Sequence, residues 1–374
     1  MQFGYVLIAV CTAAALISPR RPRGVGVAAF FLGMVVNELP QVALLYLLGT
    51  AGLALVEDDL LTPGGLVGIA VACLSTLGLI VLALRGMRSR AVVSEALHAS
   101  GIAVATADFR SAWLSLVAPL PVRPRSVRRI KNIPYGPHPK QRLDVYRRDD
   151  TTAGPVLVYL HGGGYSSGSK HWEGRALLHR LAARGWVCIS ADYRLRPEAD
   201  FADHLDDARS VLSWAQQHAR QHGGDAGTLV MAGSSAGAHL TAHCALQPQQ
   251  GQHLDAAVCM YGYLGRYYGR GADERPISDP LALDATDAPP TFVAHGDHDT
   301  YVPVEGARAF VEHLRAASDA PVVYAELPGG QHAFDLFASW RGAAVVDGVE
   351  AFLSRVTGAG KVSPARARDL HGTV

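Results

Sequence analysis

Of the 34 Lys and Arg and 33 Asp and Glu in this 374-residue chain, only ten stand in the first 90 residues: Arg20, Arg21, Arg23, Glu38, Glu57, Asp58, Asp59, Arg85, Arg88 and Arg90. This asymmetry constrains the fold more than any other feature. A segment with so few charges cannot make the wetted surface of a soluble domain. The remainder, with an ordinary mixture, cannot be a carrier that spans a bilayer end to end. Charged residues are 18% of the whole, below the roughly 25% of soluble domains, and the deficit lies in the front. A net charge of +1 leaves no basic footprint for nucleic acid.

Residues 1–18 hold no charged side chain, and arginines follow them instead of preceding them. That is the reverse of a secretory signal, so the segment reads as an uncleaved spanning helix. The stretch 24–56 would measure about 50 Å as one helix, against a bilayer core of about 30 Å. It is interrupted by Asn37-Glu38-Leu39-Pro40. The run 64–84 has the length of a span. Arginine clusters mark the cytoplasmic side, and an even number of crossings must separate 20–23 from 85–90. This predicts about three spans, an external N-terminus and a cytoplasmic C-terminal domain. The excess length of 24–56 is then absorbed by a kink at Pro40 or an interfacial half, with Glu38 at the interfacial break.

Residues 91–130 read as a linker with one or two helices that could cap a site, anchored by Phe109 and Trp113. A basic run follows at Arg123, Arg125, Arg128, Arg129 and Lys131, suited to anionic headgroups or to a solvated face. The five cysteines, at 11, 73, 188, 244 and 259, are unpaired in spacing and lie in apolar runs. They read as buried free thiols, and no metal-type pair is visible.

From Gln141 onward, short apolar runs alternate with helical periods. The runs are 142–146, 155–160, 186–190, 228–232, 256–260, 291–294 and 322–327. The helical periods are 170–184, 204–220, 235–247, 303–317 and 340–356. Such alternation predicts an α/β fold with a mostly parallel sheet covered on both faces, and sites in such sheets form beyond the carboxyl ends of the strands. His161-Gly162-Gly163-Gly164-Tyr165 follows one strand. Gly233-Ser234-Ser235-Ala236-Gly237 follows another and opens a helix, as a serine on a sharp strand-to-helix turn requires. His295-Gly296-Asp297-His298-Asp299 follows a third, and His332 follows a fourth. Serine, acid and histidine thus each follow a separate strand, in an order known from hydrolytic triads. Spacing alone does not separate Asp297 from Asp299.

These motifs, with Asp192-Tyr193-Arg194-Leu195, Pro197-Glu198, Asp206-Asp207 and Gly329-Gly330-Gln331-His332-Ala333-Phe334, resemble the hormone-sensitive-lipase-like branch of the α/β-hydrolase esterases over roughly 131–357. The front quarter resembles that of membrane-bound carboxylesterases of actinobacteria. The resemblance implies Ser235 as nucleophile, His332 as general base and Asp299 as its orienting acid. It implies an oxyanion hole from the N–H groups of Gly163, Gly164 and Ala236, with no metal and no cofactor. Arg196 departs from the Ala usual before Pro197.

The expected organisation is a transmembrane helical region over 1–90, linker or cap helices over 91–130, an α/β-hydrolase domain over 131–357 and a flexible tail over 358–374. The expected activity is that of a multi-pass, membrane-anchored serine carboxylesterase or lipase, with an ester or lipid as substrate and the lipid bilayer as partner. An amidase or formamidase, or an acyltransferase, would use the same triad, and a non-catalytic membrane scaffold is the reading outside the enzymes.

Overall fold

The computed structural model describes residues 2–56, 62–102 and 118–358. Glu57, Asp58, Asp59, Phe109, Trp113 and the tail beyond Gly358 lie outside the described residues.

Four helices come first: α1 (Gln2–Ile17), α2 (Arg23–Glu38), α3 (Pro40–Val56) and α4 (Pro63–Ala99). Leu39, ahead of Pro40, is pushed out of the helical region, with φ −127° and ψ 53°, as the proline ring demands. Pro40 then serves as the first residue of α3, and the two helices meet at 81°. Thr62 caps α4 by accepting from the N–H of Gly65 at 3.0 Å. Of these helices, α4 is long and apolar enough to cross a membrane alone, and α2 and α3 meet that standard only as one bent element.

Contacts fix how the four run. Gly4 of α1 lies against Tyr46 of α3, and Tyr5 lies against Gly68 near the start of α4. The other end of α1 leads into Ser18, which accepts from the Gln331 amide of the globular part at 3.0 Å. So α1 runs toward the globular part, α3 leaves it and α4 returns. Small residues permit the close helix crossings: Gly33 abuts Ala15, and Gly78 abuts Thr12 and Leu16. Tyr5, Ala15, Val36, Ala43, Leu47, Leu79 and Leu82 fill the space between the helices.

The stretch 24–56 bends at Pro40, one of the two courses expected for its excess length, and one boundary needs correcting. Both ends of α2 touch the globular part, at Gly26 and at Glu38, so α2 lies along it and α3 alone departs. The boundary expected at residue 90 falls inside α4, which continues unbroken to Ala99. No proline interrupts it after Pro63, and its last turns bury Val93 and Leu97 in the same core as Phe292 and Phe352. Each such burial stabilises by about 2 kcal/mol.

An eight-stranded sheet follows: β1 (Val127–Pro134), β2 (Arg142–Arg148), β3 (Gly154–Leu160), β4 (Val187–Ala191), β5 (Gly224–Ser234), β6 (Ala256–Met260), β7 (Thr291–Gly296) and β8 (Val322–Leu327). The order is β1-β2-β4-β3-β5-β6-β7-β8. The first two pairings are antiparallel and the rest parallel. Strand β1 falls where the sequence suggested a basic linker. It is an edge strand with only Val127 fully buried, so its arginines and lysine hide its alternation.

Five helices pack on the sheet: α5 (Arg175–Ala183), α6 (Phe201–His218), α7 (Ala236–Leu246), α8 (Glu305–Ala317) and α9 (Trp340–Thr357). One apolar layer joins α4, α5 and α9 to the sheet, and others join α6, α7 and α8 to it. Cys188, Cys244 and Cys259 are buried free thiols, whereas Cys73 is exposed on α4. The register aligns the strand ends that matter. Leu160 pairs with Gly233, Met260 with Ser234 and Ala294, and Gly296 with Leu327. The loops after β3, β5, β7 and β8 therefore meet at one edge.

Candidate active site

Ser235 sits on the turn from β5 into α7 with φ 51° and ψ −115°, a left-handed conformation that costs a non-glycine residue about 1–3 kcal/mol. The turn is tight because its neighbours are bare. A side-chain carbon on Gly233 would lie 2.3 Å from the Gly237 carbonyl, and one on Gly237 would lie 2.1 Å from that of Leu160. The Ser235 N–H donates to Met260 O at 3.0 Å, which ties the turn to the end of β6.

The histidine loop after β8 brings His332 Nε2 to 3.0 Å from Ser235 Oγ. The acid loop after β7 brings Asp299 Oδ2 to 2.7 Å from His332 Nδ1. Asp299 Oδ1 accepts from the N–H groups of Tyr301 and Val302, at 2.8 and 2.7 Å. Burial alone would raise the pKa of Asp299. Facing His332 and the hydrogen bonds from His295 and His332 outweigh it and hold the carboxyl well below the usual range. Asp297 has no hydrogen bond or ion pair with His332 among the described residues. Its Oδ1 accepts from Gly329 N–H at 2.6 Å, so it braces one loop against the other.

The glycine loop after β3 lies across from the turn. The N–H groups of Gly163 and Gly164 have no intramolecular acceptor among the described residues, and Ala236, as first residue of α7, has none within its helix. The loop is braced from behind. Tyr193 Oη donates to His161 O at 2.9 Å and its ring stacks on His161, with centroids 4.5 Å apart. Burial lowers the His161 pKa to about 4, which leaves it neutral. Asp207 holds Arg194 through Nε and Nη2, and Arg196 lies over the Tyr267 ring.

Three side chains beside the serine were not singled out in the sequence. Glu173 Oε2 accepts from Gly162 N–H. Asp335 accepts from Gly174 N–H at 2.7 Å and from Tyr261 Oη, and the Tyr261 ring packs edge-on against His332 at 4.7 Å. A side chain at Gly162 would meet both Ser235 and Glu173, at 2.8 and 2.9 Å. Being three residues after His332 was the one available hint for Asp335. Burial, and then Asp335, push the Glu173 pKa up to about 8. The folded chain therefore keeps a proton that the unfolded chain releases above its ordinary value of 4.5. The stability that Glu173 contributes should fall as pH rises from there to about 8. Glu173→Gln keeps the acceptor for Gly162 but cannot titrate, so its melting temperature should vary less over that window. A difference from wild type that stays constant with pH would reject this account.

The acid and histidine loops are covered by α2, whose Phe30 ring lies 6.1 Å from His332 and 5.6 Å from Tyr301. Much of the segment expected to supply a cap, 103–117, lies outside the described residues. With α2 in place, Ser235 is 4% exposed.

Residues 157–266 match the alpha/beta hydrolase fold family. The chain is 35% identical to the probable carboxylic ester hydrolase LipM of Mycobacterium tuberculosis, over 95% of this chain and 94% of that one. It is 36% identical to the esterase LipC of the same organism, over 60% of this chain and 65% of the other. Among solved structures it is similar to the butyrate-bound esterase Est2 of the planctomycete Thermogutta terrifontis. That match has a TM-score of 0.53 and 25% identity, and covers 64% of this chain and 96% of that one.

Proposed function

Because the chain belongs to the hormone-sensitive-lipase-like carboxylic ester hydrolases of the α/β-hydrolase fold, we propose that it is a membrane-anchored serine esterase with Ser235 as nucleophile, His332 as base and Asp299 as orienting acid. The observation that carries this is the relay from Ser235 Oγ through both His332 nitrogens to Asp299, built on a strained turn. His332 Nε2 takes the hydroxyl proton as Oγ attacks the ester carbonyl. Asp299 keeps the other nitrogen protonated and stabilises the imidazolium. The N–H groups of Gly163, Gly164 and Ala236 receive the oxyanion, each donor worth about 3 kcal/mol in the transition state. His332 then returns the proton to the leaving alcohol, and water releases the acid from the acyl-enzyme by the same route.

The anchor in this reading is α1, α3 and the first part of α4, which cross the bilayer in turn, while α2 lies in its interface. Their outer faces are apolar and open, with Leu48 at 69% and Leu74 at 70% exposure. At about 24 and 26 Å, α1 and α3 are short, a mismatch that local thinning accommodates. Both arginine clusters border the catalytic domain: Arg20 bonds Glu305, and Arg85 lies against Gly329. By the positive-inside rule that domain faces the cytoplasm. The substrate is a small-molecule carboxylic ester.

The full chain in bilayer discs should hydrolyse p-nitrophenyl esters and leave matched anilides essentially untouched. Faster turnover of the anilides would make it an amidase. A fluorescent reporter fused after Val374 that stays dark in cells would overturn the cytoplasmic placement.

A further inference from the structure

Arg341, near the start of α9, is the largest fully buried side chain of the described residues, at 1% exposure. Its Nη1 donates to Glu38 Oε1 and to Asn37 O, both at 2.9 Å. Its Nε and Nη2 donate to Pro328 O, at 3.2 and 3.1 Å. Glu38, itself 1% exposed, closes the bend between α2 and α3. Pro328 opens the loop that carries His332. One planar guanidinium therefore joins two segments about 300 residues apart in the chain.

The neighbours reinforce the link. Asn37 Nδ2 donates to Gly329 O at 3.1 Å. Gln331 Oε1 accepts from Thr300, whose hydroxyl donates to Gly26 O at 2.9 Å. These ties between α2 and the globular part end on the histidine loop, on the acid loop or on Arg341, which holds the histidine loop. A charge pair buried this deeply is not needed for stability alone, since well-packed apolar residues serve as well or better. Its geometry has a different use: guanidinium N–H groups are fixed in one plane, so a displaced bend displaces Pro328, four residues before His332.

We infer that Glu38 and Arg341 are a positioning pair, through which the bend between α2 and α3 sets the reach of His332 to Ser235. The inference rests on His332 acting as base to Ser235. It makes the front quarter part of the catalytic apparatus as well as an anchor.

The test uses the full chain in bilayer discs. A fluorophosphonate counts reactive serines, and kcat per titrated site and KM are read with p-nitrophenyl butyrate. Glu38→Gln and Arg341→Lys should each lower kcat per site about 10- to 100-fold, the scale of a 1 Å misplacement, with KM within about 3-fold. Lys keeps the charge but cannot hold Pro328 and Glu38 together, so it should not rescue. A purely structural pair would instead lower the number of titratable sites and leave kcat per site within about 2-fold of wild type, and that result overturns the inference. Combining Glu38→Leu with Arg341→Met should cost no more than the worse single change, whereas additive losses would also overturn it. Asn37→Ala removes one bond to Gly329 O and is the milder probe should the buried variants fail to fold: a drop of about 3-fold or more supports the inference, and an unchanged kcat overturns it. If Ser235→Ala still turns over ester, the reading of the site fails first, whatever the pair does.

Discussion

Replacing Ser235 by Ala should lower kcat for ester hydrolysis about 10⁶-fold, the loss seen when a triad nucleophile is removed. The change deletes one oxygen at a turn whose backbone is held by Met260 O and by small neighbours, so the fold should persist. The adjacent Ser234 is the internal control. Its hydroxyl lies 2.6 Å from Tyr159 Oη, buried in the sheet. Ser234→Ala should cost about 1 kcal/mol of stability and leave kcat nearly intact. Kinetics on both purified variants decide the matter: an inactive Ser234→Ala beside an active Ser235→Ala would move the nucleophile by one residue.

Asp299→Asn should lower kcat about 10⁴-fold, because an amide at that position favours the wrong imidazole tautomer. The backbone donors of Tyr301 and Val302 can still bond the amide oxygen, so the loop should hold its shape. Asp297→Asn keeps an acceptor for Gly329 N–H and should lose less than about 10-fold. A larger loss at 297 than at 299 would reverse the assignment.

What the sequence made visible and what it hid separate along physical lines. Strand β6 could be bounded to the residue, since a buried parallel strand reads as an unbroken apolar run, and so could edge strand β8, whose run is broken by Glu326 alone. The loops after β3, β5, β7 and β8 carried glycines, a serine, acids and a histidine, and the parallel register gathers those residues at one sheet edge. Edge strand β1 stayed hidden because solvent permits Arg128, Arg129 and Lys131 along it. The course of α2 was hidden for a different reason. Its residues are apolar whether they meet lipid or Tyr301 and His332, and hydropathy does not distinguish those neighbours. The sequence puts Glu38 at an interfacial break, but its partner Arg341 lies 303 residues on, and no periodicity links them. The Glu173 and Asp335 carboxyls were passed over because acidic residues near loops are commonplace until burial sets them apart.

The unbroken course of α4 has a consequence for how this protein could be taken apart. Its first turns belong to the apolar bundle, and its last turns wall the core with Val93 and Leu97. Among the described residues the bundle passes into the core along α4 without a break at which to cut. A fragment beginning at residue 91 would start inside a helix, and it would bare the faces that Phe30, Asn37 and Glu38 cover. Chains emerge from the ribosome N-terminus first, so α4 is made before any strand of the sheet it walls. The esterase half is thus not a cassette: cutting it free at residue 91 would open one side of its core, where Val93 and Leu97 pack.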